Sequence, residues 1–309
     1  MSHVVLASSL APLEAMSKVI GSVSVAFEDA RLKITGRSCE KQFIYNYVLH
    51  TLDEEDTEGP REDAVDVVVG IEPSELRSPL SKMPKNTRVA LSPYEFMTVT
   101  ADVAQETKVC GLQLTDTNRE SVWKFRPLKV DLFNINGTLE SNLQGTHEVN
   151  AQAFRKVIDI MTSMRTQNLR ISCESGSPQI DVRATGRGIH EVSDHVRTAN
   201  GEAWVPVGGA GLDGLYKTSY LNAVARTLST QKGASLHVKW ITQRTPDSRN
   251  DILQFVLRME DNYMLIYIAP ALQSQGPVKR SAPMNNMPQP KRYLRLLDEI
   301  KDAEQKQKE

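Results

Sequence analysis

The 309-residue chain reads as many short strands and few helices laid out in two similar halves, and this pattern constrains its fold most strongly. Phe43–Leu49, Leu169–Cys173, Ser235–Ile241, Ile252–Leu257 and Tyr263–Ile268 are short runs enriched in β-branched and aromatic residues. Ser235–Ile241 alternates polar and apolar positions, as a half-buried antiparallel strand does. Helical periodicity is confined to segments near 10–20, 73–84, 150–165 and 217–230. Ala15–Ile20 resembles Ala153–Ile158 at an offset of 138, and Val67-Val68-Val69-Gly70 resembles Val205-Pro206-Val207-Gly208 at the same offset. Thr35-Gly36-Arg37 and Thr185-Gly186-Arg187 form a third pair, offset by 150. The expectation is an α+β chain of two halves, each with antiparallel sheets and two helices, and no βαβ winding.

The segments divide as 1–127, a connector over 128–148, 149–270, and a tail over 271–309. Residues 271–290 are rich in Pro, Gln, Ser and Asn and carry almost no large apolar side chains, so they cannot support a packed core. Residues 291–309 are charged and helix-permissive, with Tyr293, Leu294, Leu296, Leu297 and Ile300 as a short apolar set. Asp53–Asp63 reads as an acidic loop.

No run approaches the ~18 apolar residues of a membrane-spanning helix, and Met1-Ser2-His3-Val4 lacks the start of a signal peptide. Cys39, Cys110 and Cys173 are too few and too scattered for a metal site or disulfide framework, and read as reduced, buried thiols. Gly209-Ala210-Gly211-Leu212-Asp213-Gly214 fits G-x-G-x-x-G. Residues 228–240 nevertheless lack the acidic residue that a dinucleotide site needs about 20 positions on. His190 and His195 lack the i, i+4 spacing of a helical zinc pair. Asn136-Gly137-Thr138 reads as a turn. No nucleophile, base, metal site or cofactor is expected, which points away from an enzyme.

The formal net charge is −1, from 37 basic and 38 acidic residues, which argues against a nucleic-acid partner until the charges are located. Segments 10–21, 72–88, 150–165 and 217–232 hold 11 basic and 4 acidic residues, a net of +7. The rest of the body holds 18 basic and 29 acidic residues, a net of −11, and the tail 8 and 5, a net of +3. Helix surfaces carry Lys and Arg in many proteins, but Glu is an equally good helix former and lies elsewhere here. Basic helices on an acidic body suit sequence-independent contact with phosphates. The absence of a stacking-aromatic stripe favours duplex over single strands.

Several segments in order resemble the eukaryotic-type DNA sliding clamps, the proliferating cell nuclear antigen family. Tyr220-Leu221-Asn222 through Leu228-Ser229-Thr230 resembles the family's last helix, and Tyr263–Pro270 its final strand ending in Ala-Pro. Leu13-Glu14-Ala15 with Lys18 resembles the first inner helix, and Phe154-Arg155-Lys156 through Cys173 the start of the second half. The resemblance spans about 3–270. It implies a head-to-tail ring of three subunits whose sheets form the wall and whose helices line the hole. It assigns Lys18, Arg77, Lys82, Lys85, Arg155, Lys156, Arg165, Lys217, Arg226 and Lys232 to duplex DNA. Asp159 departs from the family's basic tendency.

A partner pocket beside the connector is implied at Tyr267, Ala269, Pro270, Leu139, Leu143, Ile34 and Phe43, with ordinary core packing as the competing reading for each. The connector holds only Asp131, Glu140 and Glu148 where the family is more acidic. In the tail, Lys279-Arg280 and Lys291-Arg292 resemble a bipartite nuclear-import signal. DNA contact, docking of the 293–300 apolar side on a partner and a solvated tail without a role are the competing readings. The implied function is a nuclear, non-enzymatic processivity factor, a homotrimer that binds DNA polymerase and other clamp-binding proteins. Alternatives are a subunit of a heterotrimeric checkpoint clamp, a viral processivity factor acting without a ring, and a nucleotide-binding enzyme using the 209–214 loop.

Overall fold

The computed structural model describes residues 2–28, 30–52, 67–100, 105–128, 143–185, 191–198, 211–231, 233–245, 248–259 and 262–271. Residues 1–271 form one compact unit. The first half runs β1 (His3–Leu6), α1 (Ala7–Met16), β2 (Val23–Glu28), β3 (Arg31–Arg37), β4 (Phe43–His50) and β5 (Val67–Ile71). It continues through a 3-10 turn (Pro73–Leu76), α2 (Arg77–Ser81), β6 (Arg88–Thr100), β7 (Gln105–Asp116) and β8 (Val122–Phe125). The second half repeats that order as β9 (Leu143–Val149), α3 (Ala151–Ser163), β10 (Asn168–Cys173), β11 (Gln179–Ala184), β12 (Val192–Arg197) and β13 (Leu212–Lys217). It ends with α4 (Thr218–Thr230), β14 (Ser235–Thr245), β15 (Ser248–Met259) and β16 (Asn262–Ile268). The α+β fold of two similar halves expected from the sequence is present. Strand β9 occupies the end of the stretch assigned to the connector, so the repeated element order begins at Leu143.

All ladders between these strands are antiparallel. One four-stranded sheet has the order β1-β6-β7-β8 and another β12-β11-β10-β13. The third has eight strands, β5-β2-β3-β4-β16-β15-β14-β9, and joins the halves where β4 pairs with β16. The strands alternate as their sequences dictate. Tyr45, Tyr47 and Leu49 on β4 and Met264, Ile266 and Ile268 on β16 are buried in one continuous core. Each such side chain contributes about 1.5–3 kcal/mol by leaving water.

The repeat seen in the sequence is real, but its offset is not 138. Helices α1 and α3 begin after N-cap residues Leu6 and Asn150, so Ala7 corresponds to Ala151. Ala15–Ile20 therefore lies at the end of α1 and in the turn after it, whereas Ala153–Ile158 lies inside α3. The likeness is therefore one of local composition and not of equivalent positions. Val205–Gly208, Gly186 and Arg187 lie outside the described residues.

Local chemistry fixes the helices. The side chain of Asn150 accepts from the backbone N–H groups of Gln152 and Ala153, both at 3.0 Å, which caps α3. Phe154, Val157, Ile158 and Met161 form its buried stripe. Pro12 lies inside α1 and cannot donate to the Ser8 carbonyl four residues back. That carbonyl accepts instead from Gln231 Nε2, just past α4, at 3.4 Å, and the Ser9 carbonyl accepts from the Tyr47 hydroxyl at 2.9 Å. Helices α1 and α3 both pack on α4, and the 3-10 turn with α2 packs on α1, so the helices form a layer across both halves.

Candidate nucleic-acid interface

Because the helices bury their apolar stripes, their polar positions form the outer surface of that layer. Lys156 on α3 and Arg226 on α4 are exposed there. Lys18 is exposed in the turn after α1, and Lys82 and Lys85 in the segment after α2. Arg165 follows α3 in the left-handed conformation, φ 55°, and its N–H donates to the Thr162 carbonyl at 3.1 Å. An arginine thus stands where glycine usually ends a helix. These six cations form no ion pair among the described residues.

Three other sequence candidates are compensated by acidic neighbours. Arg77 pairs with Glu14 at 3.2 Å, and Arg155 with Asp159 at 3.4 Å, one helical turn on. Lys217, the N-cap of α4, pairs with Glu40 in the loop between β3 and β4, and its ammonium lies 5.7 Å from the Tyr220 ring centre. The Lys217 hydrogen bond holds the Glu40 carboxyl below the usual carboxylate range, against a smaller opposing effect of burial. Asp159 thus has a structural reason, the neutralisation of Arg155, and this part of α3 presents less charge than its sequence implied. Lys232 lies outside the described residues.

The partner-pocket candidates separate. Tyr267 is 4% exposed, and its hydroxyl accepts from Gln254 Nε2 at 2.7 Å. Ala269 and Pro270 follow, half-buried, and the Ala269 N–H donates to the Gln42 carbonyl at 2.8 Å. Ile34 and Phe43 are corrections. They are 1% and 0% exposed, and Phe43 packs its ring on Tyr220 with centres 5.3 Å apart. Both alternate into the core on β3 and β4 and offer no surface to a partner. Leu139, the Leu143 side chain, Lys279, Arg280, Lys291 and Arg292 lie outside the described residues.

Two glycines of the 209–214 run are explained by packing. Gly214 lies within β13, where an added Cβ would come 2.3 Å from the Tyr216 hydroxyl, and one at Gly211 would come 2.5 Å from the Cys173 carbonyl. The run leads into a strand, whereas a phosphate-binding fingerprint opens a helix. Gly209 and Ala210 lie outside the described residues. Of the three cysteines only Cys173 is buried; Cys39 is exposed and Cys110 intermediate, which corrects the expectation of three buried thiols. Among the described residues no cluster of metal-ligating side chains occurs, and no helix is long and apolar enough to cross a membrane.

Sequence reasoning did not identify which strands end the sheets among the described residues. Strands β8 and β12 each end a four-stranded sheet, whereas β16 and β4, in the corresponding places of the other two sheets, pair with each other. Element order was the signal that could have revealed this, once the correct offset between halves was known.

No protein-family model matches the chain, and no curated protein does. Among solved structures, the PCNA2–PCNA3 complex from Sulfolobus tokodaii is similar, with a TM-score of 0.64 and 15% identity. The likeness covers 87% of this chain and 99% of that one. The chain has the clamp fold anticipated from its sequence.

Proposed function

We propose that this chain is a DNA sliding clamp, a subunit of a ring that encloses duplex DNA and holds a DNA polymerase and other replication or repair proteins on it. The observation that carries this reading is the layer of four helices with the turns that follow them, where Lys156 and Arg226 on the helices and Lys18, Lys82, Lys85 and Arg165 past the helix ends are exposed without acidic partners among the described residues. Phosphate contact of this kind is independent of sequence and sensitive to salt. The role asks for no chemistry from the chain, only for a closed path around the duplex. In a homotrimer the open edges β8 and β12 would meet head to tail, as heterologous contacts do when rotation closes them. Ala269 and Pro270, half-buried after β16, would contribute one wall of the partner site with the buried Tyr267 supporting them from beneath, and Lys279, Arg280, Lys291 and Arg292 would direct nuclear import.

A second reading, one subunit among different ones in a ring, draws on the nature of the similar structure, which is a complex of PCNA2 with PCNA3. The test is imaging of the purified protein at micromolar concentration, combined with retention on closed circular duplex. A particle with a central hole, held on circles and lost when the circle is cut, is the expected result. Salt-sensitive binding that ignores DNA ends would overturn the ring reading.

A further inference from the structure

We infer that His147 is a proton-operated latch: its neutral ring fastens the edge strand β9 to the sheet, and its protonation lets β9 open locally while the rest of the fold stays closed. The inference goes beyond the proposed function and does not depend on it. His3-Val4-Val5-Leu6-Ala7 and His147-Glu148-Val149-Asn150-Ala151 share the pattern H-x-V-x-A at an offset of 144, the spacing at which α1 and α3 correspond. The first strand of each half therefore carries the same histidine at the same distance from its helix.

Both histidines are buried, 2% and 0% exposed, and in both Nδ1 has no hydrogen-bond partner. Their anchors differ. His3 Nε2 meets the Glu28 carbonyl at 2.6 Å, so this nitrogen carries the proton, and the ring stands edge-on to Phe27. Strand β1 is also strapped from outside, where the Leu52 N–H donates to the Val4 carbonyl at 2.8 Å. His147 Nε2 meets instead the Cys173 thiol on β10 at 3.3 Å, and its ring stacks on Trp240 of β14. Burial keeps that thiol protonated, and its S–H donates to the Glu174 carbonyl, 3.3 Å away. The ring nitrogen facing sulfur is then the donor, and the orphan Nδ1 of His147 is a bare lone pair.

A bare lone pair is tolerable in a core, whereas an unpaired N–H bearing positive charge is not. Protonation at Nδ1 would create a buried cationic donor with nothing to receive it, beside a thiol that is only a weak acceptor. The groups facing the ring are Val238 and Trp240 from β14 and Cys173 from β10, none of them anionic. Glu148, His237 and Lys239 lie on the other face of the sheet by strand alternation. The carboxylates of Asp181 and Glu174 act on Cys173, but at His147 burial alone sets the direction, which is down. The closed strand is thus fully favoured above the open-state value of about 6.5, and progressively less so as pH falls towards the folded value.

Strand β9 is the element able to respond. It ends the eight-stranded sheet and, among the described residues, is held by β14 on one side and by the single Val149–Thr198 bridge on the other. Its ladder is irregular where Trp240 gives way to Ile241, and the indole lies directly on Gly145, which has no side chain to hold it. The opening also has a defined end, because the Asn150 side chain stays tied to the N–H groups of Gln152 and Ala153 in α3. Local openings of this kind cost less free energy than global unfolding.

The test is hydrogen exchange of the full chain, read by peptide mass spectrometry between pH 7.5 and pH 5.5 and corrected for the intrinsic rate. Amides of 143–149 are expected to exchange about tenfold faster at pH 5.5, while those of α3 change little. Over the same range dithiodipyridine, which attacks thiols in acid as well, should reach Cys173 faster as β9 opens. His147→Gln keeps a polar side chain but takes up no proton, so its 143–149 exchange should be flat with pH, whatever its absolute rate. His237→Gln, on the other face, should leave the response intact. An equal response in 143–149 and α3, a response that survives His147→Gln, or one abolished by His237→Gln would overturn the latch.

Discussion

Lys217 at the head of α4 donates to the carboxylate of Glu40 in the loop between β3 and β4, an ion pair that ties the second half to the first. Through it a single glutamate of that loop holds one of the cations that the family resemblance assigned to DNA. Replacing Glu40 with Gln frees that ammonium. Duplex affinity at low salt should rise, and the slope of log affinity against log salt should steepen by about 0.9, read by fluorescence anisotropy. The carboxyl is depressed in the fold, so its contribution to stability is full above its unfolded value and is lost as pH falls through the folded one.

Lys156 and Arg226 test the helix layer directly, since both are exposed and unpaired among the described residues. Their reversal to Glu should lower duplex affinity equally for unrelated sequences and reduce the salt slope by about 1 for each phosphate no longer bound. A weakening confined to one sequence would contradict backbone contact.

Gly145 lies opposite Trp240 across the β9–β14 ladder, and a Cβ there would come 2.1 Å from Cζ2 of the indole. Gly145→Ala should destabilise the fold by about 1–3 kcal/mol through overpacking. Adding Trp240→Leu should recover part of that stability, as measured by urea unfolding.

His147 is fully buried, stacks on Trp240 with ring centres 5.3 Å apart, and has Nε2 3.3 Å from Cys173 Sγ. Burial lowers its pKa, so the unfolded chain binds the proton first. Stability should fall as pH drops below about 6.5 and continue falling towards the folded value. Whatever the melting temperature of His147→Leu at pH 7, its slope between pH 7 and pH 5 should be shallower than that of the wild type.

Burial pushes the Cys173 thiol up to about 12, with the nearby carboxylates of Asp181 and Glu174 adding to the shift. Cys39 is exposed. Iodoacetamide at pH 8 should therefore modify Cys39 in the native protein and reach Cys173 only after unfolding, as peptide mass mapping would show.

The sequence displays what arises locally. Asn150 before an amphipathic run marks the start of α3, and alternation places Ser235–Ile241 on a strand. Relations over long distances are hidden. The match of Ala15–Ile20 with Ala153–Ile158 compares unlike positions, the end of α1 and the turn after it against the interior of α3. Glu40 is distant in sequence from Lys217, and only the folded sheet brings them together. The family resemblance implies a pocket role for Ile34 and Phe43, although their alternation already assigns them to the core. For Lys156 and Arg226, exposure is legible from the helical period, whereas Lys18, Lys82, Lys85 and Arg165 lie past the helix ends, where that period does not apply.

The seam between β4 and β16 has a consequence for the order of synthesis. Strand β4 leaves the ribosome early, but the strand that covers its edge is at 262–268, close to the last described residue. Until those residues emerge, the nascent first half carries a bare β-edge bearing Phe43, Tyr45 and Tyr47. Completion of the large sheet is therefore a late event, governed by a contact of very high sequence separation. A chain interrupted before 262 would be left with an adhesive edge and prone to aggregate, the state that chaperones act upon.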